Sequence, residues 1–192
     1  MGQSDTIKLN AELNQCYKNY IFLLKLLDSA NERAISDKSN KFIESYKIPV
    51  VLVGKKKSKR DQIIDGYFDI LHQELFDNQF VNLVATFERI VFSKLPNAIG
   101  LVRNIIANNY PQESPFHLTI KSFIKYANDI NNLATVQKML SGKLSEQLSE
   151  QLDEIISYRN RISHGKRFGD EETDLTLEDV LKILSEIVQQ IG

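Results

Sequence analysis

The stretch Lys143-Leu-Ser-Glu-Gln-Leu148-Ser-Glu-Gln-Leu152-Asp-Glu-Ile155-Ile156-Ser-Tyr158-Arg159-Asn160-Arg161-Ile162-Ser163-His164-Gly165 decides the fold. The unit Leu-Ser-Glu-Gln stands in tandem from Leu144 and again from Leu148, and its leucines run on into Leu152, Ile155 and Ile156. At about 100° per residue these side chains and Ile162 fall within an arc of about 120°, one face of an α-helix. Gly165 suits the left-handed residue just past a helix C-terminus, so the helix is predicted to stop at His164.

Downstream, Thr176-Leu177-Glu178-Asp179 reads as a capping box opening a last helix through Val180, Leu181, Leu184, Ile187, Val188 and Ile191. Residues 143–192 therefore read as a helical hairpin. Upstream the same three- and four-residue spacing recurs over long windows, and glycine (8) and proline (4) are too scarce to interrupt it often. Ser4 or Asp5 is read as the cap of a first helix with Leu9, Leu13, Cys16, Tyr17, Tyr20, Leu23, Leu24 and Leu27 on its apolar side. A short helix holds Phe42, Ile43 and Tyr46. Residues 61–76 and 79–108 read as two helices, the second bent or split at Pro96 and Gly100. A loop over 111–115 precedes short helices over 116–126 and 130–140, and Ser141-Gly142 breaks the chain again. Only 48–54, β-branched and bounded by Pro49 and Gly54, reads as a strand, and it has no second strand to pair with. The expectation is an all-α chain: one helical domain over 1–192, a bundle of six or seven helices.

Bulk composition narrows function only by exclusion. Lysine and arginine (24) nearly balance aspartate and glutamate (25), so affinity for a polyanion must come from local placement of charge. A single cysteine, Cys16, excludes an internal disulfide framework, and with three scattered histidines it gives no Cys/His zinc cluster. A reducing, cytoplasmic setting fits, and neither a metal nor another cofactor is expected. No run approaches the roughly 18 apolar residues that a membrane span requires, so no membrane association is expected.

The basic run Lys55-Lys56-Lys57-Ser58-Lys59-Arg60 follows Gly54 in partial likeness to a phosphate-binding loop. That loop needs a glycine where Pro49 stands and a serine or threonine where Lys56 stands, so no ATPase is read here. The run is a solvated loop or a landing strip for an RNA backbone, with Lys55, Lys56 and Lys57 as its contacts.

Arg159 lies near the middle of the apolar arc, where an unpaired guanidinium would cost several kcal/mol, so it must meet carboxylate, phosphate or backbone oxygens. Arg161 projects about 160° away from the arc centre, where solvent is the default neighbour. Asn160 and His164 are four residues apart and share one edge of the helix, within reach of the Arg159 head group. A cation, an amide and an imidazole converge, which is equipment for handling a phosphate. Glu88, set among Val84, Val91, Phe92 and Leu95, needs a cation: either Arg159, which it would orient, or a nearer partner such as Arg89 or Arg103.

The segment Leu152 to Gly165, carrying Arg159-Asn160-x3-His164-Gly165, resembles the signature of the HEPN superfamily. It is similar to the Arg-Asn-x3-His-Gly subgroup found in prokaryotic toxin, abortive-infection and other anti-phage ribonucleases. The polar stretch and Thr-capped amphipathic helix that follow agree with it, so the resemblance covers roughly the last fifty residues. It implies a helical bundle that dimerises so that two motifs face one cleft, where RNA is cut without a metal. Carried over by position, Arg159, Asn160 and His164 are the active residues. Arg161, Lys166 and Arg167 border the motif and would contact RNA. The expected partners are RNA, a second copy of the chain, and an antitoxin or defence-complex protein. Two readings of other classes compete: a non-catalytic RNA- or nucleotide-binding module, and a structural partner in a toxin–antitoxin assembly. His72 and His117 lack companions at ligand spacing, and Phe68, Phe76, Phe80 and Phe87 read as core.

Overall fold

A computed structural model describes residues 3–49, 57–109, 133–140, 142–165 and 173–191. Its elements are α1 (Gln3–Ser36), α2 (Lys41–Ser45), α3 (Lys57–Asn109), α4 (Leu133–Leu140), α5 (Glu146–Ser163) and α6 (Leu177–Gln190), with no strand among the described residues. The all-α reading holds for what is described. Residues 50–54 of the expected strand, the 111–115 loop and the 116–126 helix lie outside it. No helix among the described residues is long and apolar enough to cross a membrane.

The two helices expected over 61–76 and 79–108 are one, α3, which continues through Asp77, Asn78, Pro96 and Gly100. Asp77 and Asn78 favour turns when their side chains bond to local backbone. Here the Asp77 carboxylate is engaged elsewhere: it accepts from the Tyr158 hydroxyl at 2.9 Å and the Gln73 amide at 3.0 Å. The apolar face also runs across the proposed break, from Phe76 to Phe80 with ring centroids 6.0 Å apart, so burial favours continuing the helix.

α1 packs along α3, α6 lies against both, α5 packs on α3 and α6, and α4 on α5. Leu13 of α1, Phe80, Leu83, Val84, Phe87 and Ile90 of α3, Leu152 and Ile155 of α5, and Val180, Leu184 and Ile187 of α6 form one buried cluster. A smaller one joins Ala34, Ile43, Ile64 and Phe68. The inward line of α1 runs from buried Leu13 through half-buried Tyr17, Tyr20, Leu24 and Leu27 to buried Ala34, spaced by three, four and seven, whereas Leu23 turns about 100° off it and is 38% exposed. Leu23 therefore leaves the face assigned to it. Ser4 and Asp5 lie inside α1, which begins at Gln3, so neither stands at the flanking cap position.

Side chains define several helix ends. Ser145 accepts the Leu148 N–H at 3.2 Å at the start of α5, and Thr176 and Asp179 form the expected reciprocal capping box on α6. The Thr176 hydroxyl and backbone N–H, both bonded to Asp179, hold its carboxyl below the usual range. Arg60 departs from its basic run: its guanidinium donates to the carbonyls of Ala34 (2.8 Å), Ile35 (3.2 Å) and Asp37 (2.8 Å) and pairs with Asp61 at 2.9 Å. It closes the C-terminus of α1, where those carbonyls lack helical partners.

Tyr158 is the buried polar contact that the sequence reading omitted. It stands three residues after Ile155, about 40° beyond the edge of the apolar arc, with its ring 4.7 Å from Phe80 and 6.2 Å from Phe76. Burial, then the hydrogen bond and charge of Asp77, push its phenol up to about 12 from 10.0. The folded chain thus holds this proton more tightly than the unfolded chain. The resulting stabilisation is complete below the ordinary tyrosine value and is lost as pH rises through the folded value. Tyr158→Phe, which removes the hydroxyl's bond to the Asp77 carboxylate, should cost about 1–3 kcal/mol at neutral pH in urea denaturation. The gap between wild type and variant should narrow between pH 10 and pH 12; a gap that widens there would contradict the assignment.

Candidate functional site

α5 carries the motif on its last turns. Helical geometry keeps Arg159 and Asn160 adjacent, and the helix ends in the way that Gly165 predicted: His164 caps it and Gly165 adopts φ +75°. A Cβ at that φ is strained whatever the space around it, which is why glycine suits the position. The His164 N–H donates to the Asn160 carbonyl at 3.0 Å, and the Gly165 N–H to that of Ile162 at 3.0 Å. The His164 side chain is exposed at the helix terminus.

Arg159 is less buried than its place on the arc suggests. Its side chain is 32% exposed, at the margin where the core cluster meets solvent. One Nη donates to Glu88 Oε2 at 3.3 Å and the other to Asn160 Oδ1 at 3.2 Å. Nε is buried without a hydrogen-bond partner. A guanidinium carries five N–H donors, so capacity for an oxyanion remains after both contacts.

Glu88 reaches this site from α3, with its side chain 19% exposed. Of its alternative partners, Arg89 pairs with Glu12 of α1 at 2.6 Å, and the Arg103 side chain lies outside the described residues. The neighbours Phe87 and Ile90 are buried in the core, so α3 turns Glu88 to the shoulder that faces α5. Arg159, Asn160 and Glu88 are thus gathered into one chain of contacts, with His164 at the end of the same helix.

The bordering cations behave differently. Arg161 was expected on the solvent side, but it is half-buried, with its guanidinium 5.2 Å from the centroid of the Tyr158 ring three residues earlier. Side chains at this spacing are neighbours on a helix, and an arginine gains from lying on an aromatic face. Lys166 and Arg167 lie outside the described residues, as do Lys55, Lys56 and His117. Lys57 opens α3 with its side chain likewise undescribed. His72 bonds Asp28 at 2.9 Å across α1 and α3. No group of three or more His, Cys, Asp and Glu side chains among the described residues is placed to hold a metal.

Chemically, the cluster is a cation whose direction is fixed by one carboxylate and one amide while part of its donor set remains open. Compared with protein-family models, curated proteins and solved structures, the chain matches none.

The partial exposure and long 3.3 Å contact place the Glu88–Arg159 pair among boundary ion pairs, worth about 1 kcal/mol. A double-mutant cycle with Glu88→Ala and Arg159→Ala, read by urea denaturation, should return a coupling near that value. A coupling of several kcal/mol would identify the pair as a buried structural tie and count against an anion-binding arginine.

Proposed function

We propose that the protein is a metal-independent endoribonuclease of the kind implied by its resemblance to the HEPN superfamily. It cuts RNA in a cleft completed by a second copy of the chain, as part of a toxin or anti-phage defence system. The observation that carries this reading is the Arg159 guanidinium, aimed by Glu88 and Asn160 while its side chain stays 32% exposed, on the helix that ends in an exposed histidine.

In metal-free cleavage a base takes the proton of the ribose 2′-hydroxyl, and that oxygen attacks the adjacent phosphorus. The bond to the 5′-oxygen then breaks, and an acid returns a proton to the leaving oxygen. An exposed imidazole is suited to either proton transfer. Each chain offers one histidine in the motif, so His164 of one copy acts as base and that of the other as acid, which is the chemical ground for a homodimer. Arg159 stabilises the charge that grows on the non-bridging oxygens, and Asn160 orients its head group. Glu88 is a positioning residue: it restricts where the guanidinium points without touching substrate.

One observation favours a second reading. Arg159 already bridges α5 to α3 through Glu88, which is also what a purely structural arginine would do, in a binding module or an assembly partner. The two readings separate in a single assay. Purified protein incubated with RNA in EDTA should yield fragments ending in 2′,3′-cyclic phosphate. His164→Ala should reduce cleavage by roughly 10²- to 10⁴-fold, and Arg159→Ala by roughly 10²- to 10³-fold, with melting temperature little changed. RNA binding without fragments, unaffected by His164→Ala, would replace the enzyme with the binding module. A strictly monomeric active species in light scattering would remove the composite cleft.

A further inference from the structure

A concavity of about 420 Å³ lies beside Tyr158 of α5, between α1, α3 and the segment leading into α6. Its walls include the rings of Tyr17 and Tyr20 from α1, Phe76 from α3 and Tyr158 from α5. Among the described residues, the charged side chains lining it are Asp174 and Glu178, with no lysine or arginine. The Gln73 amide and the Thr173 hydroxyl complete a rim rich in oxygen acceptors.

Aromatic faces carry negative charge density, and two carboxylates at the rim reinforce it. A phosphate would be repelled here, and a neutral apolar ligand would cover carboxylates without satisfying them. Two facts on these walls concern cations directly. Arg161 already lies over the Tyr158 ring at 5.2 Å, so the chain itself uses this ring as a cation seat. Glu178 pairs with Lys182 at 2.9 Å, but both side chains are more than half exposed, so the pair is weak and exchangeable. Glu178 faces the cavity closely enough that, after burial, it is the main cause raising the Tyr17 phenol.

We propose that this cavity binds an organic cation, an alkylammonium or guanidinium group, seated on the rings of Tyr17, Tyr20 and Phe76 and countered by Asp174 and Glu178. A free polyamine and a lysine or arginine side chain of a partner protein share this chemistry. The site is independent of the ribonuclease reading.

The test titrates the full chain, followed by amide shifts of Gln73, Thr173, Leu175 and Leu177, with tetramethylammonium, spermidine, acetyl-arginine amide and cytidine monophosphate. At least one cation should produce saturable shifts at those amides, and cytidine monophosphate should not. Spermidine binding more tightly than arginine amide supports a free amine as occupant, and the reverse order a protein side chain. Glu178→Gln, which keeps size and shape, should weaken binding about five- to tenfold, as should Tyr20→Leu. His164→Ala should leave it unchanged, so loss of RNA cleavage and loss of cation binding are separately visible. The proposal is overturned if no cation saturates the site, if cytidine monophosphate does, or if Glu178→Gln binds as tightly as wild type.

Discussion

The uninterrupted course of α3 is the constraint on which the rest depends. Phe80, Leu83, Val84, Phe87 and Ile90 form one stripe on this helix, and α1, α5 and α6 all bury apolar faces against it. A break at Asp77 would divide the stripe and turn Glu88 by an arbitrary angle relative to Phe76. Tyr158 prevents this from the opposite side of the interface by taking the Asp77 carboxylate into a hydrogen bond. One contact between α3 and α5 therefore fixes their relative height, and a second, between Glu88 and Arg159, inherits that register.

Three arginines show how little net charge says about such a molecule. Arg60 satisfies carbonyls at the end of α1, Arg161 lies on a ring, and Arg159 alone combines a carboxylate partner with a buried, unpartnered donor. Their side chains are chemically identical. What separates them is which backbone carries them and what lies three or four residues away. Likewise acceptors dominate the cavity beside Tyr158, whereas a guanidinium stands one residue further along α5.

Much of this was legible in the residues. The repeat from Leu144 to Ile156 gave α5, the glycine after His164 gave its end, and Thr176 with Asp179 gave the start of α6, since each is a local rule acting over four residues or fewer. Glu88 among apolar neighbours pointed to a required cation, and that cation is Arg159. What the sequence concealed was non-local. Asp77, where the two expected helices join, is bonded by a tyrosine 81 residues away. Arg60 looked like part of a basic loop because its acceptors lie 23 to 26 residues earlier in the chain. Tyr158 carried a legible signal in its place three positions after Ile155, next to the core-facing residues of α5.

The αL turn at Gly165 has an implication for how this site tolerates change. Because stereochemistry rather than packing ends α5, the imidazole has a set position along and around the helix axis. Inserting one residue between Asn160 and His164 would advance it by about 1.5 Å and swing it by about 100°, off the helix edge it shares with Asn160. Substitutions at the intervening Arg161, Ile162 and Ser163 preserve that geometry. The motif is thus a ruler: its length matters more than what fills it.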